Sequence, residues 1–135
     1  MEFIDTCVFL RYLTKDAPNK AARCYELLQR VKRKEAQAVT SEAVLAEVVY
    51  VLSSRTLYKQ PRERVRALLL PIVSLPALHV PHRRAFLRAL DLYASTSLDL
   101  EDALSVAHME RLKVTTILSY DHDFDRIKGI ERREP

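Results

Sequence analysis

The chain has 135 residues, 48% of them hydrophobic and 30% charged, which excludes a disordered segment and suits one domain with a real core. Its single glycine, Gly129, excludes a P-loop and a dinucleotide-binding fingerprint, since both need several glycines for backbone to approach phosphate. A net charge of +4 is compatible with a nucleic-acid substrate or an acidic partner and selects neither.

Taken in chain order, Glu2–Asp5 reads as a short buried strand, with a helix starting over Val8–Leu13. Pro18 suits the first turn of a second helix, whose apolar positions Ala21, Cys24, Tyr25, Leu28 and Val31 have helical spacing. Gln37–Thr40 is a second strand, and Thr40 or Ser41 caps a third helix running to about Ser54. Arg55–Gln60 is a polar connection. Pro61 opens a fourth helix, which Pro71 must kink or end. Leu78–Val80 is a brief strand, Pro81 starts a fifth helix striped by Phe86, Ala89, Leu90 and Tyr93, and Ala94–Leu98 is a loop. A sixth helix spans Leu100 to about Lys113. Val114–Leu118 is a strand, Asp121–Ile127 a turn or short helix, and Glu131–Pro135 an edge strand.

Short strands alternating with helices predict an α/β fold. Its small central parallel sheet would have about four to five strands, with helices on both faces, in a single domain over 1–135. No apolar stretch approaches the ~20 residues that span a bilayer, and Met1-Glu2-Phe3-Ile4-Asp5 is not a signal peptide. Cys7 and Cys24 form no CxxC pair and read as small buried side chains in a reducing cytoplasm.

Four carboxylates stand in unusual places. Asp5 ends the first strand, Glu47 interrupts the apolar run 43–52, Asp102 opens the sixth helix, and Asp121 follows the strand ending at Leu118. A lone buried carboxylate costs several kcal/mol unless paired, protonated or metal-bound. In parallel sheets, ligands collect at the carboxyl ends of strands, where Asp5 and Asp121 fall. Gathered together, the four acids would form an all-oxygen site for Mg²⁺ or Mn²⁺, and the chemistry suggested is phosphodiester hydrolysis. Taken singly, each acid has a plainer reading. Asp5 and Asp99 could cap helices, and Asp102 could complement a helix dipole. Asp121 and Asp123 could serve turns, and Glu47 could pair with Arg11. The histidines show no ligand spacing, and His122 would point away from Asp121 if the strand continued. No serine sits in a nucleophile elbow.

Phe3-Ile4-Asp5-Thr6, Glu47 in its apolar helix, Leu98-Asp99-Leu100-Glu101-Asp102-Ala103-Leu104 and Ser119-Tyr120-Asp121-His122-Asp123-Phe124-Asp125 together resemble the PIN-domain family. They are most similar to the VapC-type toxins of prokaryotic toxin–antitoxin pairs. The resemblance runs the length of the chain. It implies a parallel-sheet sandwich, Mg²⁺- or Mn²⁺-dependent ribonuclease activity, homodimers, and inhibition by a VapB-like antitoxin. It places the acidic ligands on Asp5, Glu47, Asp102 and Asp121. Asp5 and Asp102 would hold the metal, with Glu47 and Asp121 at a second site or acting through water. Asp99 and Asp123 would be accessory acids. Thr6 would hold the Asp5 carboxylate, Ser119 keeps a hydroxyl where threonine is commoner, and Cys7 stands where Asn or Ser is usual. Arg11, Lys15 and Lys20 could contact RNA phosphates or form a solvated helix face. Tyr50, Leu57 and Tyr58 could form a dimer or antitoxin surface, though core packing explains Tyr50 equally well. Two other classes stay open: a non-catalytic RNA- or protein-binding module with a degenerate site, and a metal-dependent DNA nuclease or phosphatase.

Overall fold

Every predicted strand forms, and every one is short. The computed structural model describes residues 1–135. Five parallel strands alternate with six helices, the mixed α/β architecture expected, and the strands are hydrogen-bonded in sets of three and two. Two compact units result, Met1–Arg83 and Arg84–Pro135.

The first unit begins with β1 (Glu2–Phe3) and α1 (Thr6–Thr14). Pro18 opens α2 (Pro18–Lys32) from its first position, where a missing N–H costs nothing. Then come β2 (Ala38–Val39), α3 (Glu42–Ser53), α4 (Arg62–Val73) and β3 (Leu78–His79). The sheet order is β1-β2-β3, with Phe3 opposite Val39 and Val39 opposite His79. Helix α1 packs on α2 and α3, and α3 packs on α4. Phe9, Val31, Leu45, Val48, Leu52, Val65 and Leu69 are fully buried. Each such side chain contributes about 1.5–3 kcal/mol of transfer free energy.

The second unit contains α5 (Arg83–Ser95), which begins on the boundary residue, then α6 (Leu100–Leu112) and β4 (Thr116–Leu118). A 3-10 turn (His122–Arg126) and β5 (Glu131–Arg133) follow. Strands β4 and β5 pair in parallel, Ile117 opposite Arg132. Gly129 holds φ at +85° in the turn entering β5, a conformation that favours the one residue without a Cβ. Phe86, Ala89 and Leu90 of α5 and Ala103 and Val106 of α6 are buried.

Several expectations need correction. Strand β1 is not buried: Phe3 is 59% exposed, because β1 is the outer strand of its set and pairs only with β2. Of the two outcomes open at Pro71, a kink or an end, the end is excluded, since α4 runs on to Val73. Pro71 falls in the last turn, and the Ser74 amide restores the ladder by donating to the Leu70 carbonyl at 3.1 Å. Helix α5 starts at Arg83 rather than Pro81, because His82 sits at φ +48° and breaks the helical path. Cys7 is exposed and Cys24 half-buried, both as free thiols, since α1 turns Cys7 away from its packed face. Tyr50 is 69% exposed, which removes core packing as its role. No helix is long and apolar enough to cross a membrane.

Candidate functional site

In the first unit the chain leaves β1, passes Ile4 in the core, and turns into α1 at Asp5. Asp5 occupies the N-cap position, yet its side chain makes no capping bond. The carboxylate instead accepts a weak bond from Cys7 Sγ at 3.8 Å. The capping explanation of Asp5 therefore fails, and the position usually held by Asn or Ser keeps a polar contact through sulfur.

Glu47 lies in the second turn of α3, on the open stripe Ala43–Glu47–Tyr50. Both Glu47 and Asp5 are exposed, which corrects the premise of buried charge. An apolar run on a helix still turns one face outward every 3.6 residues. The partner of Glu47 is not Arg11: Thr6 Oγ1 donates to Glu47 Oε2 at 3.0 Å. Thr6 was expected to hold Asp5. Because Thr6 is buried in the first turn of α1, its hydroxyl reaches across to α3 and ties Glu47 to the residue following Asp5. A further residue carries no motif in the sequence. Thr40 is 1% exposed and donates from Oγ1 to the Ile4 carbonyl at 2.9 Å, fixing the chain one residue before Asp5. Its only signal is a hydroxyl directly after a strand. The cap of α3 is Ser41, whose Oγ accepts from the Val44 amide at 3.1 Å.

In the second unit the acids sit at two helix starts. Asp99 is the N-cap of α6, and its carboxylate accepts from the Asp102 amide at 2.8 Å. Asp102 follows in the first turn, half-buried. Asp121 leads the 3-10 turn and accepts from the Asp123 amide at 2.8 Å. Ser119 Oγ accepts from the Asp121 amide at 3.0 Å, so the hydroxyl shapes the acid loop. Burial, and then the charges of Asp99, Asp121 and Asp123, push the Asp102 carboxyl from its ordinary 3.8 up to about 6. The charges of Asp99, Asp121 and Asp123 thus bear on Asp102 through space. The strand ends at Leu118, so its alternation does not set the direction of His122, whose Nδ1 lies 2.8 Å from Asp125 Oδ2.

These donors are all carboxylate oxygens, which match a hard divalent cation. Within neither unit do three His, Cys, Asp or Glu side chains converge closely enough to hold a metal ion by themselves. Mg²⁺ needs only one or two carboxylates, because it keeps several waters.

Among the candidate cations, Arg11 is half-buried in the last turn of α1, Lys15 caps that helix at φ +60°, and Lys20 is exposed in the first turn of α2. Leu57 is exposed, while the Tyr58 hydroxyl donates to Asp16. Tyr58 and Asp16 help line a cavity of about 280 Å³ with Leu13, Leu52, Gln60 and Arg64. None of the predicted acids borders it.

Comparison with solved structures finds Mycobacterium tuberculosis VapC20, a toxin that cleaves the sarcin-ricin loop. It is 18% identical over 93% of both chains, with a TM-score of 0.38. A likeness at this level fixes neither activity nor substrate. No curated protein matches the sequence. The match to the PIN domain family is of another kind, because it runs from residue 3 to residue 130. It takes in Asp5 and Glu47 of the first unit and the Asp99–Asp102 and Asp121–Asp123 pairs of the second, and on that extent the chain belongs to the PIN domain family.

Proposed function

We propose that this protein is a Mg²⁺- or Mn²⁺-dependent endoribonuclease, the toxin of a VapBC-type pair, acting as one domain over 1–135. The observation that carries the reading is the match to the PIN domain over residues 3–130, a stretch that takes in Asp5, Glu47, Asp102 and Asp121. The order of the acidic motifs supports the narrower VapC-type assignment. Asp5 and Asp102 would hold the ion, with Glu47 and Asp121 at a second position or acting through water. Bound there, the ion would polarise the phosphoryl group and lower the pKa of an attacking water. Thr6 fixes the Glu47 carboxylate, Asp99 and Ser119 shape the two loops, and Asp123 adds negative charge. Arg11, Lys15 and Lys20 would position RNA by its phosphates, without reading sequence. A VapB-like antitoxin and a second copy of the chain are the proposed protein partners. The proposed compartment is the cytoplasm, which suits two free thiols.

The test is RNA cleavage by purified protein with Mg²⁺, Mn²⁺ or EDTA. Cleavage should require the ion. Asp5→Asn and Asp102→Asn should lose on the order of 10²-fold or more, since the lost stabilisation is several kcal/mol, with the circular dichroism spectrum unchanged. Equal cleavage by both variants would refute the site. Absence of specific ion binding by calorimetry would point to a degenerate binding module. Cleavage of DNA or phosphomonoesters in place of RNA would point to the third class.

A further inference from the structure

Outside the predicted acids, Arg132 of the second unit is a heavily bonded side chain. It lies on β5 opposite Ile117 of β4, and its side chain is only 11% exposed. Its Nε donates to Asp125 Oδ1 at 2.9 Å. Its Nη1 donates to the Ser119 carbonyl at 2.9 Å and reaches Glu134 Oε1 at 3.4 Å. Its Nη2 lies 3.0 Å from His122 Nδ1, the same nitrogen that approaches Asp125. The guanidinium therefore grips the acid loop on both sides of Asp121 and Asp123. Ser119 precedes them and holds the Asp121 amide through Oγ, and Asp125 follows them at the end of the same 3-10 turn. Neither Asp121 nor Asp123 touches Arg132 among these bonds, so the cation does not neutralise the acids it frames.

Building on the metal-site reading above, we infer that Arg132 is a positioning residue that locks the Ser119–Asp125 loop so that Asp121 and Asp123 stay ordered for a cation. A planar fork with several donors bonds Asp125 and a backbone carbonyl at once. Partners of this kind, behind the direct ligands, commonly govern metal affinity by 10- to 100-fold. Strand pairing alone does not supply the same restraint. The ladder reaches the loop through the Ser119 amide, which donates to the Arg133 carbonyl at 2.9 Å; within the 3-10 turn Phe124 is buried and anchors its middle, while Asp121 and Asp123 on either side of His122 depend on the bonds at Ser119 and Asp125.

Nitrogen-15 relaxation on the metal-free protein tests this without reference to activity. The Asp121 and Asp123 amides of wild type should have order parameters near ~0.85, and those of Arg132→Met should fall below ~0.6. The α6 amides should stay unchanged, which separates a local hold from general loosening. Mn²⁺ affinity should weaken about 10- to 100-fold. Arg132→Lys keeps the charge without the fork and should not rescue either readout. If Arg132→Met does not fold, Arg132→Lys and Asp125→Ala carry the test. Unchanged loop order parameters in a folded variant, or a loop already disordered in wild type, overturn the proposal. If wild type binds no Mn²⁺ and cleaves no RNA, the proposed function fails, while the order parameters still decide the role of Arg132.

Discussion

Asp102 is the residue whose surroundings most oppose its charge, and the consequence is a stability effect with a definite sign. Its folded carboxyl titrates near 6 against an ordinary 3.8. Between those values the folded state holds more protons than the unfolded state, so the stability of the metal-free protein falls as pH rises through that window. Asp102→Asn removes the ionising group. The metal-free variant should therefore melt above wild type at pH 7.5, with the gap closing toward pH 4, as followed by thermal denaturation in EDTA. A constant gap at every pH would contradict the raised titration of Asp102. Thr6 offers a second test, since its hydroxyl is bonded to Glu47 rather than to Asp5. Thr6→Val should cost about 1 kcal/mol of stability and lower kcat more than it raises KM, while Thr6→Ser should restore both. The side chains themselves could be read as candidates, but which oxygen the Thr6 hydroxyl chooses depends on where α3 lies.

With one glycine in the chain, the helices must end by other means. Lys15 and Lys113 close α1 and α6 in the left-handed region at φ +60° and +59°. A side chain there costs roughly 1–2 kcal/mol, and glycine gives back roughly 0.5–1 kcal/mol through unfolded-state entropy. Lys113→Gly should thus stabilise the protein by about 0.5 kcal/mol in urea denaturation. At the other end of a helix, Ser41→Ala should cost about 1 kcal/mol by removing the cap of α3, and Thr40→Ser should leave that cap intact. Sequence left Thr40 and Ser41 as equal candidates because both are good capping residues. The choice fell to Ser41 because Thr40 is bonded to the Ile4 carbonyl. Helix bodies were legible from their apolar spacing, whereas ends such as Pro71 and Pro81 were not. One local bond or one dihedral moves an end by two residues, as His82 does before α5.

At the scale of the whole chain, charge is divided unevenly. Residues 1–83 carry 14 Lys and Arg against 8 Asp and Glu, and residues 84–135 carry 8 against 10. Under the proposed function, a phosphate backbone would be drawn to the first set and a divalent cation to the second. RNA affinity in EDTA should fall steeply with salt. Arg11→Gln or Lys20→Gln should reduce the slope of log K against log salt by about 0.7 for each phosphate left without its cation, as measured by fluorescence anisotropy. A slope unchanged in both variants would remove those two residues from the RNA surface.

The sequence by itself determined the α/β class, the order of the elements and the acids at their junctions, because these depend on local periodicity, capping chemistry and the short range of turns. Tertiary structure decided that Glu47 is exposed and held by Thr6, and that Thr40 fixes the strand before Asp5. It also decided that Arg132, one of 22 basic residues, lies behind the Asp121 loop. Such pairings join residues about 10 to 40 positions apart, and no spacing rule along a chain encodes which of many similar donors a fold will carry to a given carboxylate.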